Sequence, residues 1–297
     1  MLDWNPALYL RFANERTRPA AELLARVPLA QARHVVDLGC GPGNSTELLA
    51  QRYAGATITG IDNSQAMLAT ARQHLPEARF ALADIASWTP APGESAPDLI
   101  YANASLQWVG EHETLIPRLF AQLAPGGVLA IQMPDNRQEA THRVMREIAS
   151  LPKFAAYIGD AAKVRADILP IRSYYDLLAG PQEQAGVEAG AVDVWHTVYQ
   201  HPMDSAGAIV QWLRGTGLKP FVEGLPEALQ ADFLTEYENR VDAAYGVRAD
   251  GRRLLAFPAC SSSPSASHDR RHVHTLSRTP GPGAARCAGR CPAPARL

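Results

Sequence analysis

The sequence predicts an α/β fold: a doubly wound, mostly parallel sheet with a helical cap over one edge. Three observations carry this expectation. Short β-branched and apolar runs alternate with amphipathic stretches from residue 34 to about residue 133, the pattern of strands joined by crossover helices. The first run enters a turn with three glycines in five residues, and a helix-start signal follows. Four of the runs end on Asp37, Asp62, Asp84 or Asn103, at the carboxyl edge where sheets of this kind bind ligands.

Taken in order, residues 3–27 mix aromatic and basic side chains (Trp4, Tyr9, Arg11, Phe12, Arg16, Arg18) ahead of Pro19, which suits the first turn of a helix. This segment, within residues 1–30, reads as a lid over an anionic ligand or as a solvated face. His34 to Asn44, HVVDLGCGPGN, is strand, glycine loop and helix start; Asn44 and Glu47 have capping-pair spacing. Strands are expected at 57–61, 80–83, 98–102 and 128–133. Helices are expected at 64–75, with Met67, Leu68 and Ala71 on one face, and at 114–123, with Pro117 in the first turn. Beyond Pro134 the alternation breaks. Helices at 141–150, 173–179, 204–215 and 226–245 read as a cap (about 136–180 and 204–246), with strands at 191–199 and from 253.

The chain has 297 residues and a formal net charge of -2, which gives no general electrostatic case for nucleic acid. The charge is uneven: residues 259–297 carry six arginines against one aspartate, while residues 1–258 carry 22 basic and 29 acidic groups. No apolar run approaches the ~20 residues of a membrane span, and the first residues lack signal-peptide order, so a cytoplasmic protein is expected. Cys40, Cys260, Cys287 and Cys291 do not make a metal site at recognisable spacing.

The glycine loop could hold a pyrophosphate or another nucleotide-like ligand. A dinucleotide loop needs glycine at its first, third and sixth positions. Counting from Gly39, the sixth position is Asn44, and Asp37 would repel a pyrophosphate while attracting a cationic head. S-adenosylmethionine, which carries an ammonium and a sulfonium but no phosphate, fits better. The D-x-G-x-G-x-G run at residues 37–43, with ITGIDNS at 58–64 and ALADIASW at 81–88, resembles the class I (Rossmann-like) S-adenosylmethionine-dependent methyltransferases. The resemblance implies that Asp37, Gly39, Gly41 and Asn44 face the amino-acid end. Asp62 and Asn63 would meet the ribose beside Met67, Asp84 and Ile85 the adenine, and Asn103 the fourth strand end.

Methyl transfer to an amine, hydroxyl or carbon calls for a positioned base; a carboxylate, ionised at neutral pH, needs none. No Asn-Pro-Pro-Tyr-type tetrapeptide follows the fourth strand. Stretches at 3–20, 103–108, 132–136, 193–199, 215–220 and 254–258 resemble the branch of the family that esterifies a small tricarboxylic acid, implying a polycarboxylate acceptor. Candidates to hold or enclose it are Arg11, Arg18, His142 and Arg146, with Trp108, Tyr174 and Tyr175 as walls. Another small acid, such as a malonyl thioester, and a non-catalytic cofactor-binding protein remain open. A single domain is expected over residues 1–258. From about Ala259 the chain turns to Ser, Pro, Gly, Ala and Arg, which predicts a disordered tail, read as a shifted reading frame, since the final strand of such a sheet should continue as an apolar run.

Overall fold

The computed structural model describes residues 13–164, 168–179 and 189–266. Seven strands form one sheet: β1 (His34–Leu38), β2 (Thr57–Asp62), β3 (Arg79–Leu82), β4 (Leu99–Asn103), β5 (Val128–Pro134), β6 (Ala189–Met203) and β7 (Arg253–Ala266). Their order is β3-β2-β1-β4-β5-β7-β6, and β7 runs antiparallel to both neighbours. The remaining pairs are parallel, so helices cover both faces and the central strands are near-continuous apolar runs. All seven residues of β5 are buried.

The period of two sorts these strands onto two cores. Val35, Leu99, Tyr101, Val128 and Ala130 pack on one face against Ala20, Leu23 and Leu24 of α1 (Ala13–Arg26), Val27 just after it, and Leu49 of α2 (Asn44–Arg52). Val36, Leu38, Ile100, Leu129 and Ile131 pack on the other against α4 (His112–Ala121) and α7 (Ile171–Ala179). The helix α3 (Gln65–His74) follows β2, with the Ser64 side chain accepting from Met67 N at its start. A third core belongs to the cap: α5 (Ala140–Ala149), α6 (Pro152–Ile158), α8 (Ala206–Arg214), α9 (Lys219–Val222) and α10 (Glu227–Ala244) close around Phe154 and Phe233, edge to face at 5.1 Å.

Three expectations change. The first helix begins at Ala13, not at Pro19, which lies inside it; burial of the four apolar positions after Pro19 outweighs a proline cost of about 3 kcal/mol. The helix expected at 114–123 begins two residues earlier, so Pro117 is past the first turn. His112 anchors that start, with Nε2 donating to Leu106 O (2.9 Å) and Nδ1 accepting from Tyr174 Oη (2.6 Å).

The third concerns the tail. The chain is not disordered from Ala259: β7 continues through Ala266, burying Ala259, Cys260 and Ser261 to Ser263. An interior strand needs its backbone paired more than it needs large side chains. Here β5 and β6 satisfy β7 from both sides, Ile131 opposite Ser262 and Val194 opposite the same residue. The expected tail beyond Ala266 lies outside the described residues.

The exchange of apolar for hydroxyl side chains leaves a mark, because Ser263 Oγ is buried without a partner. Ser263→Ala removes that orphan group and should raise unfolding stability by about 1 kcal/mol. Urea denaturation of both proteins measures this; a lower midpoint in the variant would show that the hydroxyl is satisfied.

Candidate active site

The site begins where β1 gives way to α2. Gly39, Gly41 and Gly43 have φ of 73°, 55° and 100°, the left-handed region that glycine enters at little cost. The loop is held from beneath by β2: Gly39 N and Cys40 N both donate to Ile61 O (2.7 and 3.0 Å), and Gly41 N donates to Asp62 Oδ2 (2.9 Å). Gly39 also has no room for a side chain, since a Cβ there would stand 2.2 Å from Ser105 Cβ. The capping pair expected at Asn44 and Glu47 does not form. Gly43 occupies the cap position without a side-chain bond, and Glu47 instead meets His74 Nε2 at 3.1 Å.

Asp37 lies below this loop. Ser45 Oγ and Thr46 Oγ1, in the first turn of α2, both donate to its Oδ2 at 2.7 Å, while its Oδ1 is buried with no partner. Burial pushes its carboxyl up to about 6; the Thr46 and Ser45 hydroxyls work against that rise, and nearby Asp62 adds to it. Cys40, buried beside it, has its thiol pushed far up by burial, as befits a filler residue rather than a nucleophile.

Above the loop a cavity of about 440 Å³ opens along the carboxyl edge. One end is walled by Gly39, Gly41, Asp62, Asn63 and Met67, then by Asp84 and Ile85 after β3. Asp62 ties this end together, its Oδ1 accepting from Ser64 N (2.9 Å). Asn103 and a short 3-10 turn (Leu106–Trp108) form the floor, with Gln107 and the one-third-exposed Trp108. Asn44 lines a small recess next to it, shared with Gly39 and Asn103.

The far end comes from elements distant in sequence. Gln132, Pro134 and Asn136 follow from β5, His142 from α5, Trp212 and Thr216 from α8 and the turn after it, and His201 and Phe257 from the β6–β7 pair. His142 is set by the cap: Tyr237 Oη donates to Thr141 O (3.2 Å), and Thr141 Oγ1 lies 3.2 Å from His142 Nδ1.

Sequence reading therefore brought Gly39, Gly41, Asp62, Asn63, Met67, Asp84, Ile85, Asn103, Trp108 and His142 to one cavity. Asp37 is fully buried beneath the loop and does not reach the cavity, Asn44 reaches only the recess beside it, and four more expected residues stand elsewhere. Arg18 pairs with Glu22 (2.8 Å) and stacks over Tyr199, outside the cavity. Arg146 donates to Arg137 O (2.8 Å). Tyr174 is core, bonded to His112 and accepting from Leu169 N, and Tyr175 is exposed. Arg11 lies outside the described residues. Among residues not anticipated, His201 had a readable signal: Tyr199, His201 and Met203 alternate in the sequence past the expected strand end at residue 199, and all three are buried.

The donor set tests what this cavity can take. Asp62 and Asp84 are acceptors at one end, and Asn103 Oδ1, Gln107 Oε1 and Gln132 Oε1 are buried without partners. Among the described lining residues there is no lysine or arginine. Such a lining suits a ligand with ribose hydroxyls, an amino group and a cationic head, and would repel a pyrophosphate. The fold and this cavity are those of a class I S-adenosylmethionine-dependent methyltransferase.

Comparison with known proteins agrees and is more specific. Residues 35–127 match the family described as "Methyltransferase domain". The protein named trans-aconitate 2-methyltransferase in Paracidovorax citrulli is 70% identical over 87% of this chain and 96% of its own. That of Variovorax paradoxus is 67% identical over the same shares, and that of Methylobacterium radiotolerans 58%. The chain belongs to the trans-aconitate 2-methyltransferase family. Among solved structures, the YcgJ protein from Bacillus subtilis (TM-score 0.53, 11% identity) covers 84% of this chain and 99% of its own, and shares the fold. So does a putative methyltransferase from Bacillus halodurans C-125 (TM-score 0.50, 12% identity), over 84% and 98%. No described helix is long and apolar enough to cross a membrane.

Asp37 makes a measurable pH signature. Its folded value, about 6, lies above the ordinary carboxyl value near ~4 of an unfolded chain. The stability it contributes is therefore fully present below about pH 4 and is lost as pH rises through about 6. Relative to Asp37→Asn, which cannot ionise, the wild-type protein should lose up to about 3 kcal/mol between pH 4 and 7. Urea denaturation of both across that range measures the difference; parallel profiles would refute it.

Proposed function

We propose that the enzyme transfers a methyl group to a carboxylate of trans-aconitate, giving the monomethyl ester and S-adenosylhomocysteine. The observation that carries this reading is the cavity itself: an acidic end on the glycine-loop side continues into a second end rich in imidazole, amide and indole donors. The acceptor named for the close relatives is a tricarboxylate, which needs donors and no base.

Bound S-adenosylmethionine supplies an electrophilic methyl on a sulfonium. The chain's residues position and dehydrate what meets it. Asp62 receives the ribose hydroxyls, and Asp84 the adenine amino group, with Met67 and Ile85 on either side. Gly39, Gly41 and Asn44 receive the amino-acid end, with the Asp37 charge behind them. The bond that forms joins a carboxylate oxygen to the methyl carbon, and the pair of the broken C–S bond stays on sulfur. No proton is moved, so no side chain is assigned as a base. Trp108 shields the reacting centre from water at the rim, and alignment does the rest. One catalytic unit with an inserted helical cap, working on a small soluble acid, is consistent with a cytoplasmic enzyme.

Incubation with methyl-labelled S-adenosylmethionine and a panel of di- and tricarboxylates, including a malonyl thioester, tests the acceptor. Labelled trans-aconitate monomethyl ester is expected, with kcat nearly flat from about pH 6.5 to 9 because the nucleophile is already ionised. Transfer only to a different acid, or kcat climbing steeply through neutrality, would replace this reading. The Asp62 assignment is checked separately. Asp62→Ala should weaken S-adenosylmethionine binding by about 1.5–3 kcal/mol, the worth of a charge-assisted hydrogen-bond pair, and calorimetry that finds equal affinity would remove Asp62 from the site.

A further inference from the structure

The acceptor's non-reacting carboxylates need positive or donor groups, and the expected arginines do not supply them from within the described lining. The described ionisable residues that line the cavity are Asp62, Asp84, His142 and His201. Strand order separates them: Asp62 ends β2 and Asp84 follows β3 on one side of β1, while His201 lies on β6 and His142 follows β5 on the other. An anion entering this cavity is repelled from the first pair and meets the two imidazoles at the opposite end.

We infer that His201, together with His142, is the acceptor-specificity element, receiving the carboxylates of the polyacid that are not methylated. This rests on the carboxyl-transfer reading above and names the residues that implement it. His201 is 6% exposed and held among rings, with Trp212 at 4.9 Å, Phe257 at 6.0 Å and Tyr199 at 6.2 Å between centroids. A ring so confined has little rotamer freedom to lose when it binds.

His142 has a second, independent sign of a ligand-facing role. Gly217 lines the same cavity without a positive φ, so its backbone does not demand glycine. A Cβ there would stand 3.1 Å from His142 Nε2, tighter than ordinary contact. A side chain at this position would press on the His142 ring where it lines the cavity. Gln132, 2% exposed, lines the same end, and its side-chain amide N–H is a further donor for a carboxylate.

The test compares trans-aconitate with a dicarboxylate that lacks one of its arms. His201→Phe keeps a ring in the aromatic box and removes the hydrogen-bonding nitrogens. It should raise KM for trans-aconitate tenfold or more, while KM for the dicarboxylate changes less than threefold and S-adenosylmethionine affinity stays within twofold. Gly217→Ala, which narrows the approach to His142 without touching a charge, should lower the preference for the tricarboxylate in the same direction and covers the case of a misfolded His201→Phe. An unchanged ratio of the two KM values in both variants overturns the inference while leaving carboxyl transfer standing. Calorimetric titration of trans-aconitate onto the protein with S-adenosylhomocysteine separates binding from turnover. A wild-type protein that neither binds nor methylates any acid of the panel overturns the functional reading and this inference together.

Discussion

The contact between the glycine loop and its two flanking strands constrains everything above it. Gly39 and Cys40 donate to one carbonyl of β2, Ile61 O, and Gly39 faces Ser105 so closely that a single added carbon could not fit. Ser105 in turn donates to Leu38 O at 2.7 Å, so the ends of β1, β2 and β4 are pinned to one another through a few atoms. Asp62 extends the same tie by accepting from Gly41 N and Ser64 N, which fixes the start of the next helix. The acidic end of the cavity is thus a by-product of how three strand ends are locked.

The opposite end is built on different principles. It is supported by the cap, whose core of Phe154, Phe233, Tyr237 and Val241 is separate from the two sheet cores. A parallel sheet alone would offer only its strand ends. The reversed strand β7 and its neighbour β6 run on past the end of β5, from the Pro134–Ala259 pairing to Met203 opposite Arg253, which carries His201 and Phe257 into the cavity wall.

Several conspicuous side chains serve the scaffold instead. Arg52 caps the end of α1, its guanidinium reaching Val27 O (2.8 Å), Leu29 O (3.2 Å) and Leu24 O. Arg26 lies over Trp195, and Arg18 over Tyr199 beside Glu22, whose carboxylate also accepts from the Tyr199 hydroxyl (2.8 Å). These cations fasten the first helix to β6. Tyr174 and His112 form a similar strut beneath the 3-10 turn, with Leu169 N donating to Tyr174, Tyr174 to His112 and His112 to Leu106 O. A sequence shows that a residue is cationic or aromatic; it does not show which neighbour claims it.

The alternation of strands and helices, the glycine loop and the acidic strand ends were legible in the amino-acid sequence because each depends on neighbours a few residues away. Continuous apolar runs placed β1, β4 and β5, and the loop with its following acidic residues placed Gly39, Gly41, Asp62 and Asp84 at one edge. What tertiary structure decided was everything that rests on partners far along the chain. That Asp37 sits beneath the loop, held by Ser45 and Thr46, follows from how α2 folds back on β1. That Arg18 and Tyr174 leave the cavity to His201 and Trp212 depends on which elements meet. The strand through Ala259 to Ala266 makes the point most directly. Its serines and proline carry no strand pattern of their own, and it is strand because β5 and β6 complete its backbone hydrogen bonds on both sides, an energy that local sequence does not encode.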